Sequence, residues 1–324
     1  MEVKRRTART LVKKLSSVSE QTRVEALCEL RLISKNDDES RAIIAEAGAV
    51  PYIAEALYSS SHDCQENAAA TLLNLSISSP TRGGETLDST RETLVSTRGV
   101  LDTISHLLRN HQHSSAAAVQ SAAATFHSLL IFDDSYRPLI GGKRDILYAL
   151  IDIIRYHNSP PKSIKDALKA LFGVSLYTQN RAALIELDAV PPLFSLVIND
   201  GRVGIVEDAT AVIAQMAGCE EGVEAFRKAS AVGVLVDLLD PATGSSGRTK
   251  ENAVSALLNL VQCGGQRVVD DIRELTLGLY VWINDISQNG SARGKTKAGA
   301  LLKLLGGGSY GFRETRLVPS PEST

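Results

Sequence analysis

The chain has 324 residues, 44% of them hydrophobic and 22% charged, and its formal net charge is −2. This balance gives no long-range field that would recruit nucleic acid or an anionic membrane. No apolar run reaches the roughly 18 residues of a membrane span, and the first residues are charged where a secretory signal would be apolar. Four cysteines without paired spacing are typical of a reducing compartment, and Cys28 and Cys219 fall in apolar helical patterns that predict buried thiols. We therefore expect a cytoplasmic or nuclear protein without integral membrane contact.

Residues 1–19 are predicted to form a basic helix that caps the fold. Leu11, Val12 and Leu15 give this stretch an apolar side. Six cations stand against the single acid Glu2: Lys4, Arg5, Arg6, Arg9, Lys13 and Lys14. Such a run is consistent with the solvated face of a helix, with a nuclear-import signal, or with a patch at residues 4–14 that binds an anionic partner.

From residue 20 to residue 305 one sequence block returns seven times. An alanine is followed four places on by a bulky apolar residue and three places later by another, as at Ala68, Leu72 and Leu75. The leading alanines are Ala26, Ala68, Ala122, Ala167, Ala209, Ala253 and Ala298. Their spacings of 42, 54, 45, 42, 44 and 45 residues indicate a helical solenoid, and the apolar spacing within each block predicts a helix.

A second element follows each block after a turn. Gly48-Ala49-Val50-Pro51 is the clearest form of this turn, and Asp188-Ala189-Val190-Pro191 is a second copy. Glycine adopts a positive φ without strain, and proline suits the first helical position because its missing N–H would have no partner there. A further helical stretch lies between block and turn, as at residues 40–47, so each unit is predicted to hold three helices.

The period divides the chain into units. They are predicted near residues 20–61, 62–113, 114–159, 160–201, 202–247 and 248–290, with a partial unit at 291–305. The one long spacing is explained by turn-rich residues 78–90, which we interpret as an insertion. Residues 306–324 have no helical pattern and are predicted to form a flexible tail.

No group of residues predicts catalysis. The segment Gly294-Lys295-Thr296 lacks the glycine five places earlier that a phosphate-binding loop requires. We expect His111 and His113 to be solvent-exposed loop residues, and His127 to be packed on a helix face. The sequence therefore predicts a protein that is not an enzyme and needs no cofactor or metal.

The string Glu-Asn-Ala-x-x-x-Leu-x-Asn-Leu at 66–75 and 251–260, together with the Gly-Ala-Val-Pro turn, resembles the armadillo (ARM) repeat. It is most similar to the ARM region of plant U-box ubiquitin ligases, over roughly residues 20 to 305. The resemblance implies an all-α, right-handed α-solenoid of about six to seven ARM repeats. In those ligases a separate U-box precedes the repeats, and we expect no counterpart here because the first repeat begins near residue 20.

The family resemblance favours a non-catalytic scaffold that binds a protein or peptide partner. One alternative is the substrate-recognition part, or a regulator, of a U-box-type ubiquitin ligase. A nuclear-import adaptor is a second alternative, but such proteins use repeated Trp and Asn pairs, and this chain has the single tryptophan Trp282.

The resemblance also implies an inner groove lined by the third helix of each repeat, which here is the helix after the turn. Its polar positions are the candidate partner-binding residues: Tyr52, Asp102, His106, Arg109, Asn110, Tyr148, Asp152, Arg155, Tyr156, Ser195, Asn199 and Asp237. Mixed charge with tyrosines suits an extended peptide or a helix of a protein partner.

Overall fold

The computed structural model describes residues 1–77, 88–275 and 278–306. In these ranges, helices of three kinds alternate along the chain. In chain order they are α1 (Glu2–Leu15), α2 (Glu20–Asn36), α3 (Asp38–Glu46), α4 (Val50–Glu55), α5 (His62–Ser76), α6 (Asp88–Ser96), α7 (Val100–Arg109), α8 (Ala116–Phe132), α9 (Tyr136–Gly141), α10 (Arg144–Arg155), α11 (Pro161–Ser175), α12 (Gln179–Glu186), α13 (Val190–Asn199), α14 (Val203–Met216), α15 (Val223–Lys228), α16 (Ala231–Asp237), α17 (Gly247–Gly264), α18 (Gln266–Arg273), α19 (Leu279–Asn289) and α20 (Ala292–Gly306). Short 3-10 turns lie at Ala56–Tyr58, Glu220–Gly222 and Pro241–Thr243.

After α1 the helices fall into repeating triplets. We call α2, α5, α8, α11, α14, α17 and α20 the long ladder; each contains one copy of the alanine block. A short helix follows each of the first six long helices: α3, α6, α9, α12, α15 and α18. The helices after the turn, α4, α7, α10, α13, α16 and α19, form the second ladder. Each long helix packs on the next long helix along the chain, which is the arrangement of a solenoid.

The long helices form where the sequence supplies a start signal and an apolar stripe. Ser19, Ser61 and Ser246 each cap a long helix by accepting a hydrogen bond from the backbone N–H three residues on. Helix α11 instead begins with Pro161 at its first position. The leading alanine of every block is at most 2% exposed, so the stripe predicted from the sequence is buried between neighbouring helices.

The turns before α4, α7, α13 and α16 each contain a residue with a left-handed backbone, whereas Lys143 before α10 is extended. Gly48 and Gly99 have φ of 76° and 85° in the first two of these turns. Asp188 and Ser230 have φ of 59° and 52° in the corresponding turns, where a side chain makes this conformation less favourable. The turn therefore keeps its shape in units that lack glycine.

One continuous apolar core runs from Ala8 in α1 to Leu305 in α20. Every regular element of the described ranges is a helix, which confirms the predicted all-α solenoid. Residues 78–87 of the proposed insertion and residues 307–324 of the proposed tail lie outside the described residues, whereas residues 88–90 begin α6.

Candidate partner-binding surfaces

The side chains predicted to line a groove lie on the second ladder or directly after one of its helices. Helix α4 carries Tyr52, and α7 carries Asp102, His106 and Arg109, with Asn110 directly after it. Helix α10 carries Tyr148, Asp152 and Arg155, with Tyr156 directly after it. Helix α13 carries Ser195 and Asn199, and α16 carries Asp237. Each of them is exposed or half-buried. The helices that carry them contact one another from each unit to the next.

Several of these charges are paired between units. The pairs join Lys143 Nζ to Asp102 Oδ1 at 2.6 Å, Arg109 Nη1 to Asp145 Oδ1 at 3.4 Å, and Arg155 Nη2 to Asp188 Oδ2 at 3.8 Å. Exposed pairs of this kind contribute no more than about 1 kcal/mol each to stability. Their main consequence is that much of the charge on this face is neutralised within the protein.

His111 is buried, so the prediction of a solvent-exposed loop histidine is wrong for this residue. Its Nδ1 lies 3.1 Å from the carbonyl oxygen of Leu108 and 3.7 Å from Oδ2 of Asp152. The ring also meets the edge of Tyr156, with ring centroids 5.5 Å apart. The residues that cover His111 belong to the next unit, so local sequence gave no sign of its burial. His113 is exposed, as predicted.

Cys28 is exposed, so its predicted burial is wrong, whereas Cys219 is buried as predicted. Cys28 lies two residues after the buried Ala26, which places it on the opposite side of α2. The apolar pattern correctly predicted a helix here, but Cys28 was assigned to the buried face of that helix.

The long ladder is the more closely packed of the two. Successive long helices contact each other more extensively than successive helices of the second ladder do. At one crossing, a Cβ added to Gly173 of α11 would lie 2.8 Å from Cβ of Leu130 in α8. Neighbouring elements of a curved stack come closest on its inner side. This packing therefore favours the long ladder as the inner side, whereas the sequence interpretation placed the second ladder there.

The asparagines of the recurring string tie one long helix to the one before it. Nδ2 of Asn74 donates to the carbonyl oxygen of Arg31 at 3.2 Å and to Oγ of Ser34 at 3.0 Å. Nδ2 of Asn259 donates to the carbonyl oxygen of Ala214 at 2.8 Å. The sequence showed that these asparagines recur but not what they bind.

A row of arginines was missed in the sequence, because every short helix contains at least one: Arg41, Arg91, Arg137, Arg181, Arg227, and both Arg267 and Arg273 in α18. In the first four units the Nε donates to a carbonyl oxygen near the end of the preceding long helix, namely that of Ser34, Ser76, Leu130 and Ser175. A cation at this end satisfies acceptors that have no partner within the helix and opposes the helix dipole. The regular recurrence of these arginines was the signal that could have revealed them.

A groove crosses the middle of the long ladder, over α8, α11, α14 and α17. Its apolar lining includes Ile131, Leu168, Phe172, Leu176 and Ala211. Its titratable lining is His127, Lys165, Lys169, Glu207, Asp208 and Arg248. Burial raises the pKa of the Asp208 carboxyl, although nearby Lys165 and Arg248 act in the opposite direction. Asp208 Oδ2 is buried and has no hydrogen-bond partner among the described residues.

His127 gives this groove a pH-dependent contribution to stability. Burial, and then the charge of Lys169, lowers the pKa of its imidazole below 6.5. The unfolded chain therefore binds the proton first as pH falls, so the stability contributed by neutral His127 is present above about pH 6.5 and decreases below it. We expect His127→Gln to flatten the fall in the free energy of unfolding between about pH 7.5 and 5.5, measured by urea denaturation. His113→Gln, at an exposed site, is the control, and equal slopes for all three proteins would contradict this prediction.

Metal binding and membrane insertion each require a specific arrangement of residues. Within residues 1–77, 88–275 and 278–306, no three His, Cys, Asp or Glu side chains are grouped so that they could hold a metal ion. Over the same ranges no single helix is long and apolar enough to cross a bilayer; α12 and α13, bent by 77° relative to each other, pass that test only as a pair.

Comparison with known proteins agrees with this architecture. The family model for the plant U-box protein ARM repeat region matches residues 8–310. The chain is 32% identical over 304 residues to U-box domain-containing protein 4 of Oryza sativa subsp. japonica, covering 94% of this chain and 39% of that protein. It is 30% identical over 321 residues to U-box domain-containing protein 17 of Arabidopsis thaliana, covering 96% of this chain and 41% of that protein. It thus spans about two fifths of the length of these relatives.

Solved structures share the fold. A designed armadillo repeat protein superposes with a TM-score of 0.51 at 20% identity, covering 92% of this chain and 99% of the design. A computationally designed armadillo repeat protein for modular peptide recognition superposes with a TM-score of 0.50 at 20% identity, covering 91% of this chain and 98% of the design. The alanine blocks, the three-helix units and the match over residues 8–310 agree: the chain belongs to the plant U-box protein ARM repeat family.

Proposed function

We propose that this chain is a non-catalytic interaction scaffold that holds a protein or peptide partner along the inner surface of its long ladder. The observation that carries the proposal is the close packing of successive long helices, which makes their free faces one continuous surface. Solenoids bind partners along extended concave surfaces of this kind. The peptide recognition named for one of the similar designs also supports a peptide or protein as the partner.

The second ladder is the alternative binding surface. It carries the residues chosen from the sequence, among them Asp152 and Arg155 of α10. Arg155 Nη2 donates to the carbonyl oxygen of Asp188 in the next unit at 3.3 Å, and Oδ2 of Asp152 lies 3.7 Å from Nδ1 of the buried His111, so both side chains have partners within the protein. This favours the long ladder over the second ladder.

Two double variants separate the surfaces. Ala124 and Ala211 are half-buried on the free faces of α8 and α14. Replacing both by tyrosine adds bulk without charge and is expected to weaken binding of a partner isolated by affinity purification by at least about tenfold, because the partner can no longer approach the helices. Binding is measured by isothermal titration calorimetry, with circular dichroism to confirm that helicity is unchanged.

The matched variant on the second ladder is Asp152→Lys with Arg155→Glu. On the long-ladder proposal it leaves affinity within about twofold of the original. The opposite pattern, with the tyrosine variant binding normally and the charge variant failing, would transfer the binding site to the second ladder.

A second candidate function is recognition of substrates for a U-box ubiquitin ligase, either within such a ligase or as its regulator. The relatives named as U-box proteins favour it. In an autoubiquitination assay with activating and conjugating enzymes, we expect no product from this chain alone. Ubiquitin chains formed by it alone would contradict the non-catalytic proposal.

We also propose that the protein acts in a reducing compartment, the cytoplasm or the nucleus, which its four free cysteines support. An anionic partner at residues 4–14 stays a weaker proposal. Lys4 already bonds to Asp37 and Glu39, and Arg5 lies 3.9 Å from Glu46. The exposed cations left for such a partner are Arg6, Arg9, Lys13 and Lys14.

A further inference from the structure

The central groove of the long ladder presents positive charge to solvent, because three lysines and arginines line it against two acids and the acids are the less exposed. The side chain of Arg248 is 62% exposed and that of Lys169 is 36% exposed. The side chains of the two lining acids, Glu207 and Asp208, are only 21% and 12% exposed. The cationic side chains are therefore more exposed to solvent than the acidic ones.

The acids are also held from within the protein. Oε1 of Glu207 accepts a hydrogen bond from Oγ of Ser246 at 2.7 Å, and its backbone carbonyl accepts one from Nδ2 of Asn252 at 3.1 Å. Asp208 is nine-tenths buried, and its Oδ2 has no hydrogen-bond partner among the described residues. These carboxylates are therefore poorly placed to meet a ligand in solution.

Lys169 Nζ donates to Oδ1 of Asp166 at 3.4 Å, whereas Lys165 and Arg248 are only loosely neutralised. Arg248 lies 3.9 Å from Glu207 and 4.0 Å from Asp208, which is too far for a direct hydrogen bond. The ammonium of Lys165 has no carboxylate within 4.0 Å among residues 1–77, 88–275 and 278–306, and its Nζ lies above Gly204 of α14, 2.9 Å from where a Cβ would stand. The small residue at 204 leaves room for this ammonium between the two helices.

The apolar part of the groove lies directly beside these charges. Phe172 is half-buried, and Ile131 on α8 is 54% exposed. Lys165 and Lys169 are four residues apart on α11, and Phe172 is three residues further, so all three lie along one face of that helix. Their side chains are spaced about 5–6 Å apart, close to the roughly 7 Å between alternate side chains of an extended peptide.

We propose that this groove recognises an extended acidic peptide segment of a protein partner, in which carboxylates at alternate positions meet Lys165 and Lys169 and a neighbouring apolar side chain packs on Phe172. This deepens the proposed function and rests on it. A peptide fits better than a nucleic acid because the cations flank an apolar floor and the chain as a whole carries a net charge of −2.

The test uses the full chain and a short fluorescein-labelled Gly/Ser peptide that carries two glutamates separated by one glycine, with a phenylalanine two places on. Fluorescence anisotropy is expected to show binding that weakens as salt is raised. A peptide with lysines in place of the glutamates is expected to bind at least about tenfold more weakly. Stronger binding of the lysine peptide, or of a single-stranded oligonucleotide of matched charge, would overturn the proposal.

Variants of the protein give effects of opposite sign. The double variant Lys165→Glu with Lys169→Glu is expected to weaken binding of the acidic peptide by about tenfold, because both contacts become repulsive. Asp208→Asn removes a buried negative charge beneath the same site and is expected to tighten binding by about threefold. Lys295→Glu with Lys303→Glu, two exposed positions on α20, changes the net charge equally and is the control.

Equal losses in the groove variant and in the α20 control would overturn the proposal, since the effect would then reflect net charge alone. Failure of this inference can be told from failure of the proposed function. If the acidic peptide does not bind while a purified partner still loses affinity on the tyrosine substitutions at Ala124 and Ala211, the binding surface stands and the acidic peptide is wrong.

Discussion

Replacement of Arg41 with alanine is expected to lower the free energy of unfolding by about 3 kcal/mol. The side chain of Arg41 is 8% exposed. Nε donates to the carbonyl oxygen of Ser34 at 2.6 Å, Nη2 to that of Lys35 at 3.1 Å, and Nη1 lies 2.7 Å from Oδ1 of Asp38. Alanine would leave the carbonyl groups at the end of α2 without donors in a site that water reaches poorly, which accounts for the size of the effect.

Urea denaturation followed by circular dichroism measures this loss, and Arg144→Ala is the matched control. Arg144 forms one ion pair, with Glu186 at 2.6 Å, and its side chain is 56% exposed. Its removal is expected to cost no more than about 1 kcal/mol. A cost at Arg41 as small as that at Arg144 would show that the capping bonds contribute little.

The second large effect is expected at the crossing of α8 and α11. Gly173→Leu should destabilise the protein by about 3 kcal/mol, because a Cβ at this position would lie 2.8 Å from Cβ of Leu130. Leucine has a higher helix propensity than glycine by up to about 1 kcal/mol, but this gain is smaller than the cost of forcing the two helices apart. The free energy of unfolding in urea measures the balance.

Gly299→Leu on α20 tests the steric explanation. Among the described residues, none outside this part of α20 lies within 4 Å of a Cβ added at Gly299, so the same substitution should be neutral or should stabilise the protein by up to about 1 kcal/mol. If both glycines respond alike, close packing of the long ladder is not what sets the cost at Gly173.

The sequence was sufficient for the repeat and its helices because both depend on local spacing. The buried alanines, such as Ala68 and Ala253, were identified from their period, and the left-handed turn was predicted at Gly48. Such features are fixed by residues within one unit, so a single unit of sequence reveals them.

Contacts between units were not predictable in the same way. His111 is covered by Asp152 and Tyr156, more than forty residues further along the chain. The charged groove combines Lys169 of one long helix with Asp208 and Arg248 of the next two. The sequence shows which residues a unit offers, but which of them meet depends on the rotation of each unit against its neighbour.

The interlocking of Gly173 with Leu130 has a further consequence for recognition. The helices that form the floor of the central groove pack closely where Gly173 meets Leu130, and closely packed helices rearrange little, so we expect the site to be formed before any ligand arrives. Association then requires little ordering of the receptor, and the entropic penalty falls on the incoming chain. Tighter ligands for this protein should therefore be those that are already stiff and extended in solution.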